Sequence, residues 1–386
     1  MTDMRLVTAL SSPSGFRFGE VSSLTAPRAL SSSVPSLGPL AAFAGTFRGS
    51  GFNTIFRPDN KQTPTPLPVP VNGSDNVLEL NLTQETLSFS PSLGSVPNRG
   101  EVQGDIFLNG IPYLQTISDV TVPSQPVGIH VEPGLWMAVP ATTDPAEGPT
   151  VVRMASIPHG TTVQAQGTSH TVAGKPAIAA VDITPFVIGQ PGNKVPFPSQ
   201  TAANDKAARI PQNLGPFITA GTITQAMLAD PNTLLRNHIA AQTVTSTTVI
   251  SVSTDPAAPL FGGGTGNIAF LLGNPAASAP NAQAVKMEAV FWVETVEFAI
   301  EVPVFEPGQP SLVIPAETGA EGQPVPEFLV NPPVPVKAPR TIRVTAPQIQ
   351  YSQQVLLNFN GLSWPHVSVA TLVPAGPVAV PASAWA

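Results

Sequence analysis

Forty-six prolines in 386 residues set the strongest limit on what this chain can fold into. A proline inside a helix removes a backbone donor and clashes with the preceding turn, at a cost of about 3 kcal/mol or more. The prolines recur along most of the chain, so long helices are excluded. Between them lie runs rich in Val and Thr, the residues that suit a pleated, half-buried surface. Many short strands joined by long loops are the expectation, and hence a sandwich or a closed barrel. Alternation alone does not separate those two. Hydrophobic residues make up 42% of the chain, enough for a large core and too many for a disordered one.

Charge narrows the function. Only 11% of residues are charged, against about 25% in an average globular protein. The net charge is −7 with no basic block, so neither nucleic acid nor an anionic membrane surface is an expected partner. The absence of cysteine excludes disulfides, thiolate metal sites and thiol nucleophiles. The N-terminus has no signal-like apolar run, and no stretch of about 18 apolar residues suggests a membrane helix. A cytoplasmic location is expected. No Gly-x-Ser-x-Gly elbow is present, carboxylates are scattered, and the glycine run Gly262 to Gly266 lacks a P-loop lysine.

Strands are expected around 45–53, 78–82, 105–120, 128–139, 150–166, 242–253, 285–296, 341–359 and 364–374. In the clearest, Val285, Met287, Ala289, Phe291 and Val293 share one face, with Lys286, Glu288 and Glu294 on the other. One short helix has start chemistry, with Asp230 as N-cap, Pro231 at the first position, and Leu234, Leu235 and Ile239 on a stripe. Residues 1–40 read as an extended arm and 41–376 as one elaborated β domain. That domain has insertions at 168–240 and 303–339, and 377–386 form a tail. The arm and the proline-rich 303–339 segment carry Leu30, Leu37, Leu40, Phe305, Leu312, Ile314, Phe328 and Leu329, more apolar surface than a solvated linker needs. They are expected to pack on another subunit of a homo-oligomer, or else to wrap the chain's own barrel and seal one end.

The chemistry concentrates on histidines. Pro365 leads into an alternating strand on which His366, Ser368 and Ala370 share a face, and small neighbours leave an imidazole room for a large ligand. A strand-end histidine bonded to a carbonyl is the plainer alternative. In His130-Val131-Glu132-Pro133-Gly134, His130 and Glu132 point the same way, either to solvent or into a pocket. Ile157-Pro158-His159-Gly160 reads as a turn opening a strand that runs on to Gly167.

Taken in order with Gly45-Thr46-Phe47-Arg48-Gly49, these segments resemble the nitrobindin family of heme-binding β-barrels. The resemblance covers 40–167 and 280–375. It implies an all-β, antiparallel, calycin-like barrel of about ten strands with long Pro-rich loops. It also implies heme b as cofactor, with His366 as the iron ligand and His130 as a distal, catalytic residue. His159 and Trp364 would complete the heme pocket. The implied ligands are small diatomic or peroxidic molecules, with peroxynitrite isomerase or peroxidase-like activity. The ring N–H of His366 should meet a carbonyl or amide oxygen, with Asn358 and Asn360 as candidates. Two rival functions are a metal-free calycin-like carrier of an apolar small molecule and an assembly protein clasped by its Pro-rich segments.

Overall fold

The computed structural model describes residues 35–257, 260, 262–273, 281–317 and 324–385. Leu30, and the arm before residue 35, lie outside the described residues. Ten long strands form the body: β1 Gly45–Pro58, β2 Asn76–Phe89, β3 Ile106–Asp119, β4 Val127–Val139, β5 Thr150–Ser156, β6 Thr161–Ala173, β7 Thr243–Ser253, β8 Gln283–Val302, β9 Arg340–Phe359 and β10 Leu362–Pro374. Each pairs antiparallel with its neighbour in sequence, β10 pairs with β1, and β2 pairs with β3, so the meander closes into a barrel. Closure leaves no free edge around the ring where the ten strands lie side by side. At Gly49 the β1 and β10 backbones run so close that an added Cβ would sit 1.9 Å from the Thr371 carbonyl oxygen.

Alternation decides what faces the lumen. Met287, Ala289, Phe291 and Val293 of β8 point inward, as the sequence pattern requires. Val285 does not. A bulge between Ala284 and Lys286 shifts the phase, so Ala284 joins the core and Val285 is left exposed. One end of the lumen is filled by aromatics. The short 3-10 turn Gly38–Ala42 brings Leu40 and then Phe43 into it, and Phe43 stacks on Phe89 at 4.6 Å and meets Trp136 edge-on at 5.6 Å.

The segment between β6 and β7 covers part of the outer wall. Its short helices, α1 Gly215–Ala220, α2 Gln225–Ala229 and α3 Thr233–Ile239, pack Ile223, Met227, Leu228 and Leu235 against Phe52, Trp292, Val367 and Val369. Both faces of β10 are therefore buried. The helix start expected at Asp230 and Pro231 lies two residues later. Asp230 ends α2, its carboxylate accepts the Asn232 and Val181 N–H groups, and Asn232 is the N-cap of α3. Buried Arg209 binds the segment's loops together by donating to the carbonyls of Ser199, Thr201, Ala202, Asn204 and Gln212.

The 303–339 excursion is covered from within the chain. Strands β8 and β9 run on past the barrel as a long ribbon. Phe305, Phe328, Val330 and Val336 pack on its Ile300, Val302, Ile342 and Val344, and Trp385 of the tail joins them. Leu312–Pro315, Glu327–Val330 and Val378–Ala379 form a small sheet over this core. Leu312 and Ile314 are half-buried there, and Leu37 packs in the barrel beside Leu40; Leu329 remains exposed. Among the described residues no helix is long and apolar enough to cross a membrane.

Under α3 the sequence's outward Glu294 is buried. Its carboxylate accepts from Gln348 Nε2 at 2.6 Å, its other oxygen has no partner, and Gln348 also pairs with Gln242. Burial pushes the Glu294 carboxyl up to about 7, against the smaller opposing effect of the Gln348 bond. A carboxyl raised in the fold stabilises it when protonated, and that stability is lost as pH rises from 4.5 through about 7. Glu294→Gln keeps the shape and removes the charge. Its stability relative to the parent, measured by urea unfolding, should therefore grow between pH 5 and pH 8 by about 2–3 kcal/mol. A difference that stays constant with pH would mean Glu294 does not titrate in that range.

Candidate functional site

Beyond the aromatic end, the lumen holds a cavity of about 430 Å³. His366 of β10, His130 of β4 and His159 of the β5–β6 turn all line it. So three histidines far apart in sequence converge, and two of them face the third. Around the ring, β1, β2 and β3 separate β10 from β4 on the shorter way, which sets His130 across the lumen from His366. The walls are apolar, with Ile55, Ile117, Ile157, Val355 and Leu357.

His366 is held by the neighbouring strand. Its Nδ1 lies 3.0 Å from the Thr54 carbonyl oxygen, so Nδ1 carries the proton and donates it. Nε2 makes no hydrogen bond among the described residues. Burial pushes the imidazole down to about 4, against the Thr54 bond and with help from His130 and His159. Asn358 and Asn360 do not take the role expected of them. Asn358 accepts from the Ser363 hydroxyl, while Asn360 sits in the β9–β10 turn with φ of 48°. Strand pairing decides this, since Thr54 of β1 is opposite Val367 and its carbonyl is beside the ring.

His130 and Glu132 point into the barrel, which settles their orientation against the solvent. A bulge at Ile129 sets their phase, with Ile117 opposite His130 and Ser118 opposite Gly128. His130 Nε2 is 3.2 Å from Glu132 Oε2, and its ring meets that of His159 edge-on at 5.1 Å. Partial burial, together with His130, holds the His159 imidazole below its ordinary value.

Arg153, Tyr113, Gln353 and Glu85, which sequence reasoning missed, join Glu132 to form the floor. Glu132, fully buried, accepts from Arg153 Nη2 at 2.6 Å and from the Tyr113 hydroxyl. Arg153 Nε donates to Tyr113 at 2.9 Å and Nη1 to Gln353 Oε1 at 2.6 Å. Burial alone would raise the Glu132 carboxyl, but Arg153 and His130 outweigh it and hold it well below the usual carboxylate range. Gly134 is required here, because a Cβ would lie 2.5 Å from the Tyr113 ring. Beside this network, Glu85 accepts from Tyr351 at 2.6 Å, Thr83 at 2.9 Å and Gln115 at 3.2 Å. All three partners are neutral, and burial raises the Glu85 carboxyl. The only signal was a Glu and an Arg at inward phase on β4 and β5, and phase does not show which distant side chains meet.

Trp364 is not at the cavity. It stacks on Phe359 at 4.5 Å, packs against Phe56 and Phe197, and donates its indole N–H to the Phe359 carbonyl. The wall segment between β6 and β7 supplies Phe197, which sequence pattern could not place there. His170 is exposed on β6, and His238 is buried on the inner face of α3, pushed down to about 4 by burial. Among the described residues no cluster of three or more His, Cys, Asp or Glu side chains is placed to hold a metal ion by itself.

These features define a closed, ten-stranded antiparallel β-barrel with a histidine-lined cavity over a buried polar floor. No family model matches the chain, and no curated protein matches it. Among solved structures, the crystal structure of Rv2717c from M. tuberculosis is similar at 10% identity and a TM-score of 0.33, over 89% of this chain and 100% of that one. A likeness that remote carries no weight for function.

The two floor carboxylates should respond differently to neutralisation. Glu132→Gln leaves Arg153 buried without a counter-charge and should cost about 3–5 kcal/mol in denaturant unfolding. Glu85 has only neutral hydrogen-bond partners, so Glu85→Gln leaves no buried charge without its counter-charge and should cost less, about 1 kcal/mol. Equal losses would refute the pairing of Arg153 with Glu132 as what sets the two sites apart.

Proposed function

We propose that this chain is a heme-binding β-barrel protein that handles small diatomic or peroxidic ligands, with His366 as the axial ligand of the iron. The observation that supports this most is the state of His366: a neutral imidazole, its Nδ1–H given to Thr54, its Nε2 lone pair unused at the wall of a cavity. Iron accepts such a nitrogen, and ligating histidines characteristically donate their other N–H to a carbonyl or carboxylate. His366 would hold the heme, and the heme would supply an iron site for a small ligand.

The chain's own residues set the conditions. Ile55, Val355 and Leu357 supply apolar wall beside His366. Across the lumen, His130 is braced by Glu132, and Glu132 is itself fixed by Arg153. That brace orients the ring so that it can donate a hydrogen bond or move a proton on the side away from His366. His159, at the mouth and against His130, is the second imidazole on that side.

His366→Ala should abolish stoichiometric hemin binding, read from the Soret band, with the far-UV circular dichroism unchanged. In the parent, binding should persist through neutral pH and be lost as pH falls through about 4, because protonation removes the donor lone pair. A mutant with an unaltered Soret band would remove His366 as ligand. His130→Ala should keep heme but slow reaction with peroxide or peroxynitrite by about 10²–10⁴-fold, the usual contribution of a positioned acid or base. Parent-like kinetics would make His130 a structural residue. The apolar walls also support a metal-free carrier of an apolar small molecule. That reading is favoured if the wild-type protein takes up no added hemin yet binds a lipid-like probe.

A further inference from the structure

Gln353 is a side chain of the polar floor whose orientation is dictated and whose donor end is idle among the described residues. It points inward from β9 between Tyr351 and Val355, and lines the cavity. Its Oε1 accepts from Arg153 Nη1 at 2.6 Å. A guanidinium only donates, so the amide cannot be flipped. The NH₂ group must turn the other way, and it makes no hydrogen bond among the described residues. Strand register sets its depth. Val355 is opposite His366 and Gln353 is opposite Ser368, so Gln353 is one step deeper on the same wall. Ser368 repeats the pattern: its Oγ accepts from Asn53 Nδ2 at 2.8 Å, which leaves its own proton to donate.

We propose that Gln353, with Ser368, anchors a carboxylate of the occupant at the cavity floor, so that the ligand enters with its acid group inward. This rests on the reading of the cavity as the ligand site. The charges around the floor permit it. Glu132 is neutralised by Arg153, and Glu85 is surrounded by hydroxyl and amide groups. His130, His159, His366, Tyr351 and Glu79, the last paired with Arg57 at 2.6 Å, are the other titratable groups lining the space. Two donors with no acceptor to serve suit a carboxylate better than a wholly apolar tip.

Gln353→Glu separates anchoring from structure, because a carboxylate still accepts from Arg153 but no longer donates to the cavity. Hemin and hemin dimethyl ester, which lacks free carboxylates, are the probes, with affinity read by Soret titration. The wild-type protein should bind hemin more tightly than the ester, a comparison that needs no variant. Gln353→Glu should weaken hemin by about 10–100-fold, the worth of a hydrogen bond to a charged group, and leave the ester nearly unchanged. His366→Ala should weaken both. A wild type that does not prefer the acid, or a folded Gln353→Glu protein with parent hemin affinity, overturns the anchor; loss of hemin in His366→Ala would still uphold the axial ligand. If hemin does not bind, octanoate titrated by tryptophan fluorescence decides. Weakened octanoate binding in Gln353→Glu keeps the anchor without heme, and no octanoate binding to the wild type overturns the anchor and the ligand site together.

Discussion

The pairing of β10 with β1 joins the two ends of the meander and closes the sheet, and the rest of the molecule follows from that closure. A closed sheet has an inside that must be filled, and ten strands enclose more volume than simple alternation of aliphatic side chains fills. The chain fills it in three layers. Phe43, Phe89, Trp136 and Phe291 pack one end. A waist of ion pair and hydrogen bonds follows, around Glu132, Arg153 and Glu85. The remaining space is the cavity.

The waist is costly by itself, since burying an ion pair seldom gains stability over apolar packing. It is tolerated because every member is tied to another. Arg153 spends three nitrogens on Tyr113, Gln353 and Glu132, and its guanidinium also faces the Phe291 ring at 5.3 Å. The network fixes side chains that border the cavity, His130 on one wall and Gln353 on the other. Stability and ligand geometry are thus linked through one buried charge pair. Outside the barrel, the β6–β7 segment and the β8–β9 ribbon bury the apolar surface that closure leaves on the outer wall and beyond the rim.

Much of this was legible in the chain. Proline density and period-2 alternation define an all-β protein, because both act on the backbone locally. The inward faces of β8 and β10 follow from alternation, and so does the shared direction of His130 and Glu132. Where alternation fails, a bulge intervenes: Val285 is displaced by the irregularity at Ala284, and nothing in the residues on either side announces it. The start of α3 was misplaced because Asp230 and Pro231 carry helix-start chemistry but are used to end α2 and turn the chain.

What only the tertiary structure decided is contact between residues distant in sequence. Thr54 is 312 residues from the His366 it orients, and Gln353 is 200 from the Arg153 that fixes it. Trp364 and His366 are two apart on one strand, yet one packs with Phe359, Phe56 and Phe197 while the other faces the cavity. Sequence sets which side chains face the same way, since backbone geometry repeats every two residues. It does not set which strand lies opposite. That depends on register and closure, which the whole chain determines together.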